Sequence, residues 1–303
     1  MIAEYALEPE MVATWGDRQN HRYFKGKFGS GQGRLVSRYP KKWAKKVWES
    51  FAGGSEMEKK RLEELLARLQ ETMIKRKDFV WDQSLTWLDN ASHEHARYPF
   101  RAVLARNNPA ARPEILCEDR LDASPCPEWD SPHNIVVNRR TQDMTAAVRQ
   151  MLACSRWVKF IDPHVSPGRR DYRLALGAFM DILAGERPVG PPEFIEIHTG
   201  LHGAEAEFLR NKFQELIPNG LQVTLYQWQE RTGGQKLHNR YILTDLGGVI
   251  FHHGLDAGAD GDIDEISRLA IGPYLLRCRQ YDPANSAFDQ AAAPLEITGT
   301  LGG

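Results

Sequence analysis

No stretch of this chain approaches the ~20 consecutive apolar residues that a membrane-spanning helix needs. The start, Met1-Ile2-Ala3-Glu4-Tyr5, lacks the basic-then-apolar pattern of a secretory signal. Cysteine is scarce: Cys117, Cys126, Cys154 and Cys278 form no C-x-x-C pair. That scarcity argues against a disulfide scaffold, and with the missing signal it leads us to expect a reducing, cytoplasmic setting. Cys117, Cys126 and His133 lack an evident fourth ligand, so neither a metal nor any other cofactor is expected. The phosphate loop G-x-x-x-x-G-K-[ST] is missing as well. Net charge is close to absent, with 39 Lys and Arg against 40 Asp and Glu, so overall charge selects no class of partner.

What is present is a globular composition with local concentrations of charge. Hydrophobic residues make up 42% of 303 residues, enough for two domains with real cores. From Arg18 to Trp48 there are ten Lys or Arg and no acid, with Tyr23, Phe24, Phe28, Tyr39, Trp43 and Trp48 interleaved. Such a stretch can track a phosphate backbone and stack on bases, with Lys41, Lys42, Lys45 and Lys46 as the densest group. The same pattern also suits a solvated basic face over an aromatic mini-core. The glycine-rich run Gly26–Arg34 reads as a turn, and residues 1–54 as largely irregular. Ser55-Glu56-Met57-Glu58 is a capping box, and Leu62, Leu65, Leu66, Leu69 and Met73 then recur at helical spacing, so a helix is expected over 55–77. Phe100–Ala105 reads as a strand. Five prolines in 107–133 mark a connector, so we expect an N-terminal basic, mainly helical or irregular domain over 1–133 and a second domain over 134–303.

The second domain opens with a helix from Thr141 to Ala153, followed by a strand, Trp157–Ile161, ending in Asp162-Pro163-His164. Leu174, Ala178, Phe179, Ile182 and Leu183 then mark a helix, Phe194–Ile197 a strand, and residues 203–216 an amphipathic helix. Leu221–Leu225, Tyr241–Leu243 and Val249–Phe251 are further strands. Residues 283–303 read as an extended tail. The segment that carries chemistry is His238-Asn239-Arg240-Tyr241-Ile242-Leu243-Thr244-Asp245, of form His-x-Arg-x4-Asp. Alternate strand residues face one way, which would project His238 and Arg240 together. An imidazole can attack phosphorus or protonate a leaving oxygen, and a guanidinium can hold two phosphate oxygens. A carboxylate such as Asp245 can fix the histidine's orientation.

The motif and the order of elements around it resemble the phospholipase D superfamily, whose signature is His-x-Lys-x4-Asp. The resemblance covers residues 140–280. It implies an α/β fold with a mixed sheet flanked by helices, and a phosphodiesterase that works through a phosphohistidine without a metal. It places His238, Arg240 and Asp245 in the catalytic set. Gly254-Leu255-Asp256 stands where the family carries Gly-Ser-x-Asn, which assigns Gly254 and Asp256 to substrate binding. Asp264-Glu265 stands where the family often carries a supporting acid, here taken as Glu265. Arginine in place of lysine, and the missing Ser and Asn, are the departures.

Members of that superfamily use two facing histidines. His95-Ala96-Arg97 begins like a second motif but has Ala102 where Asp is needed. His164 and His198 each follow or end a strand and are candidates to line the same cleft. A homodimer that pairs two copies of His238 is the simplest source of the second histidine. A nuclease acting on DNA or RNA, in the manner of an antiviral defence enzyme, is the reading that joins motif and basic stretch. A phospholipid phosphodiesterase and an inactive phosphate-binding module, which could engage a protein partner, are the alternatives.

Overall fold

A computed structural model describes residues 1–303 except Ser124, His202 and Gly303. The chain divides into two compact units. The N-terminal unit comprises Ile2–Pro132 with Arg187–Gly190, and the C-terminal unit comprises Met1, His133–Glu186 and Pro191–Gly303.

The first 54 residues, expected to be irregular, are ordered into β1 (Ala3–Leu7), α1 (Pro9–Ala13), α2 (Arg18–Phe24), β2 (Arg34–Val36) and α3 (Trp43–Ser50). They are followed by α4 (Glu56–Glu71), α5 (Trp87–Arg97), β3 (Ala102–Ala105) and β4 (Ile115–Cys117). The four strands form an all-parallel sheet in the order β2-β1-β3-β4. β3 falls on the strand expected at Phe100–Ala105, whereas β1, β2 and β4, each paired over three residues per neighbour, carried no period that the sequence reveals. The apolar content explains them afterwards: both faces of this sheet are covered, as parallel sheets require. Tyr5, Leu7, Trp15, Trp43, Leu62 and Leu66 pack on one side, and Tyr39, Trp87, Phe100 and Val103 on the other. The capping box of α4 is formed, Ser55 Oγ accepting from Glu58 N at 3.3 Å and Ser55 N donating to Glu58 Oε2 at 2.8 Å. The helix ends at Glu71, short of the expected residue 77.

One buried ion cluster ties this unit together. The Arg76 guanidinium donates to Glu4 Oε1 (3.0 Å) and Oε2 (2.7 Å) and to Glu94 Oε1 (2.6 Å), with all three side chains almost wholly buried. It joins β1, α5 and the segment after α4.

The C-terminal unit contains β5 (Asn134–Asn138), α6 (Thr141–Cys154), β6 (Trp157–Ile161), α7 (Arg170–Ala184), β7 (Phe194–Gly200), α8 (Ala206–Gln214) and β8 (Gln222–Gln229). It continues with β9 (Arg240–Thr244), β10 (Gly247–Phe251), β11 (Ile263–Arg268), α9 (Ile271–Gln280), β12 (Asp289–Gln290) and β13 (Leu295–Thr298). Nine strands form one mixed sheet in the order β12-β8-β7-β6-β9-β10-β11-β5, with β13 also on β8. The fold is α/β, a mixed sheet flanked by helices. Of the expected tail 283–303, the described residues to 302 are not free: β12 and β13 pair antiparallel with β8, and Ile297 is buried. Phe208, placed on the buried side of α8 by its spacing, is 47% exposed, while Leu209 and Phe213 face the core.

Because β6, β7 and β8 are parallel and β9 runs against β6, several chain ends collect along one edge of this sheet. They are the carboxyl ends of β5, β6, β7, β8 and β10 and the amino ends of β9 and β11.

Arg76→Ala is expected to take the guanidinium away from two buried carboxylates and to lower unfolding free energy by roughly 3–5 kcal/mol. Urea denaturation followed by tryptophan fluorescence measures this; a loss under about 1 kcal/mol would contradict it.

Candidate active site at one sheet edge

Four neighbouring strands each bring a polar residue to the shared edge. Asp162 follows β6 and is fully buried. Continuing the β6–β9 register by one residue from Ile161–Tyr241 sets Asp162 beside Arg240, and Arg240 Nε lies 4.0 Å from Asp162 Oδ1. The β9–β10 pairing ends at Arg240–Phe251, and two residues further out on each strand stand His238 and His253. On the other side of β10, the register that pairs Phe251 with Ile266 brings His253 to Asp264, Nδ1 to Oδ1 at 3.1 Å.

Asp162 is the most heavily engaged of these groups. Its Oδ1 accepts from His164 N (2.9 Å), and its Oδ2 accepts from Leu255 N (2.9 Å) and Tyr172 Oη (3.4 Å). Burial pushes its carboxyl above the ordinary value, while the two backbone donors and Arg240 pull it back. The same burial, with Asp162 and Asp256 close by, pushes the Tyr172 hydroxyl up. A Cβ at Gly254 would stand 2.4 Å from Asp256 Oδ1, so any other residue there would displace the Asp256 carboxylate, while Asp162 Oδ2 at 3.5 Å would be in ordinary contact.

The sequence-selected residues separate into distinct places. His238 is exposed and lies just before β9, so strand alternation does not by itself align it with Arg240. Arg240 is largely buried, and its Nε has no hydrogen-bond partner among the described residues. Asp245 cannot orient His238, because the two lie beyond opposite ends of β9, whose terminal Cα atoms are about 13 Å apart at ~3.3 Å per residue. Asp245 instead accepts from Arg156 N (2.7 Å) and Arg156 Nε (3.0 Å), fastening the β9–β10 turn to the start of β6. Glu265 is exposed and accepts from Asn134 Nδ2 at 2.5 Å. The inward acid is its neighbour Asp264, 1% exposed, whose Oδ1 also accepts from His252 N (3.1 Å) and His253 N (3.2 Å). Asp256 is held by Arg139 (2.6 Å) and Arg169 (3.3 Å), so it braces the loop after β10.

His164 is exposed at this edge, and its backbone supports Asp162. His198 is not in the cleft. It sits within β7, fully buried, against Tyr226 and Trp228. Trp228 Nε1 only donates, so His198 Nδ1 accepts (3.0 Å) and Nε2 carries the proton toward Glu196 Oε2 (2.9 Å). Burial pushes this imidazole below its ordinary value and keeps it neutral. His95 and Arg97 lie on α5 rather than on a strand, with Arg97 paired to Asp78. His253 was not selected by sequence reasoning. The adjacent acid Asp264, reached only by pairing β10 with β11, was the missing signal.

In the N-terminal unit, much of the basic stretch is structural. Phe24 stacks on Trp15, Tyr39 and Trp43 are core residues, Lys25 pairs with Glu64 and Lys45 with Glu49. Lys41 and Lys42 are exposed, and Lys46 lies over the Trp81 ring.

Among the described residues no group of three His, Cys, Asp or Glu side chains is arranged to hold a metal, and no helix is long and apolar enough to cross a membrane. No protein-family model matches the chain, and no curated protein matches it. One solved structure, of the archaeal chromatin protein TrmBL2, described as showing a novel mode of DNA binding, is similar at 10% identity with a TM-score of 0.26. The alignment covers 74% of this chain and spans 66% of that protein's length. A likeness at that score carries no argument.

Asp162 titrates above its ordinary value of 3.8 in the fold. Between the two values the folded chain keeps a proton that the unfolded chain has released, so Asp162 contributes stability at low pH that is lost as pH rises through its raised value. Urea midpoints measured from about pH 3 upward should show a smaller loss over that window in Asp162→Asn than in the wild type. Identical slopes would contradict the burial argument.

Proposed function

We propose that the C-terminal unit is a phosphodiesterase of the phospholipase D type, acting on nucleic acid. The observation that carries this reading is that one sheet edge sets Arg240 beside Asp162 and His253 beside Asp264, with His238 leading into β9 at the same end. The guanidinium is held near Asp162 yet keeps donors for a phosphate, whose non-bridging oxygens it would bridge and neutralise.

Chemically, His238 attacks phosphorus through a ring nitrogen, and the bond from phosphorus to the leaving oxygen breaks. His253 gives that oxygen its proton. His253 then takes a proton from water, which attacks the phosphohistidine, releases a phosphate monoester and frees His238. Asp264 suits His253 to both steps, since a carboxylate on Nδ1 fixes the tautomer and supports the imidazolium. The Arg240 charge offsets what develops on the transferring group. None of these steps calls on a Lewis acid.

A symmetric homodimer that pairs two copies of His238 is the other source of a second histidine. The Asp264-supported His253 favours a site complete within one chain. Hydrolysis of a bis-aryl phosphodiester is expected to persist in EDTA. It should be lost in His238→Ala, fall about 10²–10⁴-fold in His253→Ala and survive in Arg240→Lys. Activity of wild type mixed with His238→Ala should scale with the wild-type fraction; a steeper, quadratic loss would assign the second histidine to the partner copy. No turnover of any phosphodiester by the wild type would leave a phosphate-binding module in place of an enzyme. Turnover of phospholipid vesicles in preference to DNA and RNA would replace nucleic acid with lipid as the substrate.

A further inference from the structure

The N-terminal unit carries a groove of about 680 Å³, in the range of ligand sites, lined by Pro40, Lys41, Lys42, Lys46, Phe79, Trp81 and Trp87 among others. We propose that this groove binds a single-stranded segment of nucleic acid, with an unpaired base on the Trp81 ring and the flanking phosphates on Lys41, Lys42 and Lys46. The proposal extends the nucleic-acid reading above but rests on a different unit and on different residues.

The charge is presented in a line. Lys42 caps α3, and Lys46, Glu49 and Ser50 follow at helical spacing on the same face, all lining the groove. Neither Lys41 nor Lys42 is paired with a carboxylate among the described residues. Lys46 Nζ lies over the half-buried Trp81 ring, 5.0 Å from its centre, so a base stacking on that face would displace a flexible ammonium toward its own flanking phosphate. Glu10 and Glu49 also line the groove, leaving three ammonium groups against two carboxylates.

The aromatic wall is built in advance. Tyr39 meets Trp81 edge-on, with ring centres 5.6 Å apart, and Tyr39 Oη lies 2.9 Å from Val80 O and 3.0 Å from Asn90 O. The buried Asn90 side chain accepts from Asp82 N (2.7 Å) and donates to Asp82 O (2.8 Å) and Thr86 O (2.9 Å), fixing the loop after Trp81. Trp87 Nε1 donates to Tyr39 O at 3.3 Å. A ring held this way loses little freedom when a base stacks on it. Every base has a stacking face, so recognition would tolerate sequence but need an unpaired strand.

The test is fluorescence anisotropy of labelled dT15, its RNA counterpart and a duplex of the same length, on the full chain carrying His238→Ala so that binding is read without turnover. Single strands should bind more tightly than duplex. Trp81→Ala should weaken single-strand binding about 10- to 100-fold, with Trp81→Phe close to wild type. Lys41→Gln with Lys42→Gln should flatten the slope of log affinity against log salt by about 1.4, at ~0.7 per contact on a single strand. Melting curves identify any variant that has simply unfolded, and the surface lysine pair keeps the test decisive if Trp81→Ala has. Duplex binding as tight as single-strand binding, a mononucleotide bound as tightly as dT15, or an unchanged salt slope in the lysine variant would each overturn the proposal. Phosphodiesterase failure with these binding results intact would refute the reading of the C-terminal site alone.

Discussion

The buried carboxylate of Asp162 is the constraint on which the C-terminal site depends. A carboxylate taken out of water must be met by donors, and each donor here comes from a different part of the edge. Leu255 N brings in the loop after β10, His164 N closes the turn after β6, and Tyr172 Oη comes from α7. Arg240 stands beside it at the head of β9. Residues 162–172, Arg240 and Leu255, three regions distant in sequence, are thereby drawn to one point. The absence of a side chain at Gly254 leaves room for the Asp256 carboxylate that braces this loop.

That arrangement also gives a reason for arginine at 240. A lysine ammonium is a compact point charge, whereas a guanidinium has donors on more than one edge and can face Asp162 while presenting others outward. The neighbouring Asp256 is spent on Arg139 and Arg169, so it holds the loop and leaves the edge's charge to Arg240 and the histidines. The motif's own aspartate has a structural use. Asp245 ties the far turn of the β9–β10 hairpin to Arg156, which sets the strand's position from the end opposite Arg240.

Much of the C-terminal architecture was legible because its signals are local. Apolar runs such as Trp157–Ile161 and Tyr241–Leu243 announce buried strands, and the helical spacing of Phe179, Ile182 and Leu183 announces α7. What escaped depends on pairing between strands, which no local pattern encodes. A step of one residue along β11 decides whether Asp264 or Glu265 faces inward, and only the register with β10 sets it. His198 read as a strand-end residue because the strand runs further than its apolar core, to Gly200. The last twenty or so residues, rich in Ala, Pro and Gly, carried no strand signal, yet β8 offers an open edge that β13 fills with Leu295 and Ile297. In the N-terminal unit the interleaved aromatics were visible. That Tyr39 and Trp43 are core, and that Trp81 beyond that stretch walls a groove, follows from packing of segments far apart in sequence.

The central claim is that His238 forms a covalent bond to phosphorus at this edge. The direct measurement is rapid quenching of the full chain with a phosphodiester substrate at high pH, where phosphohistidine survives, followed by mass mapping of the peptides. The account predicts a phosphoryl adduct on His238 that is labile in acid, accumulates in His253→Ala and is absent from His238→Ala. Turnover with no adduct in any variant, or an adduct on another residue, would contradict it.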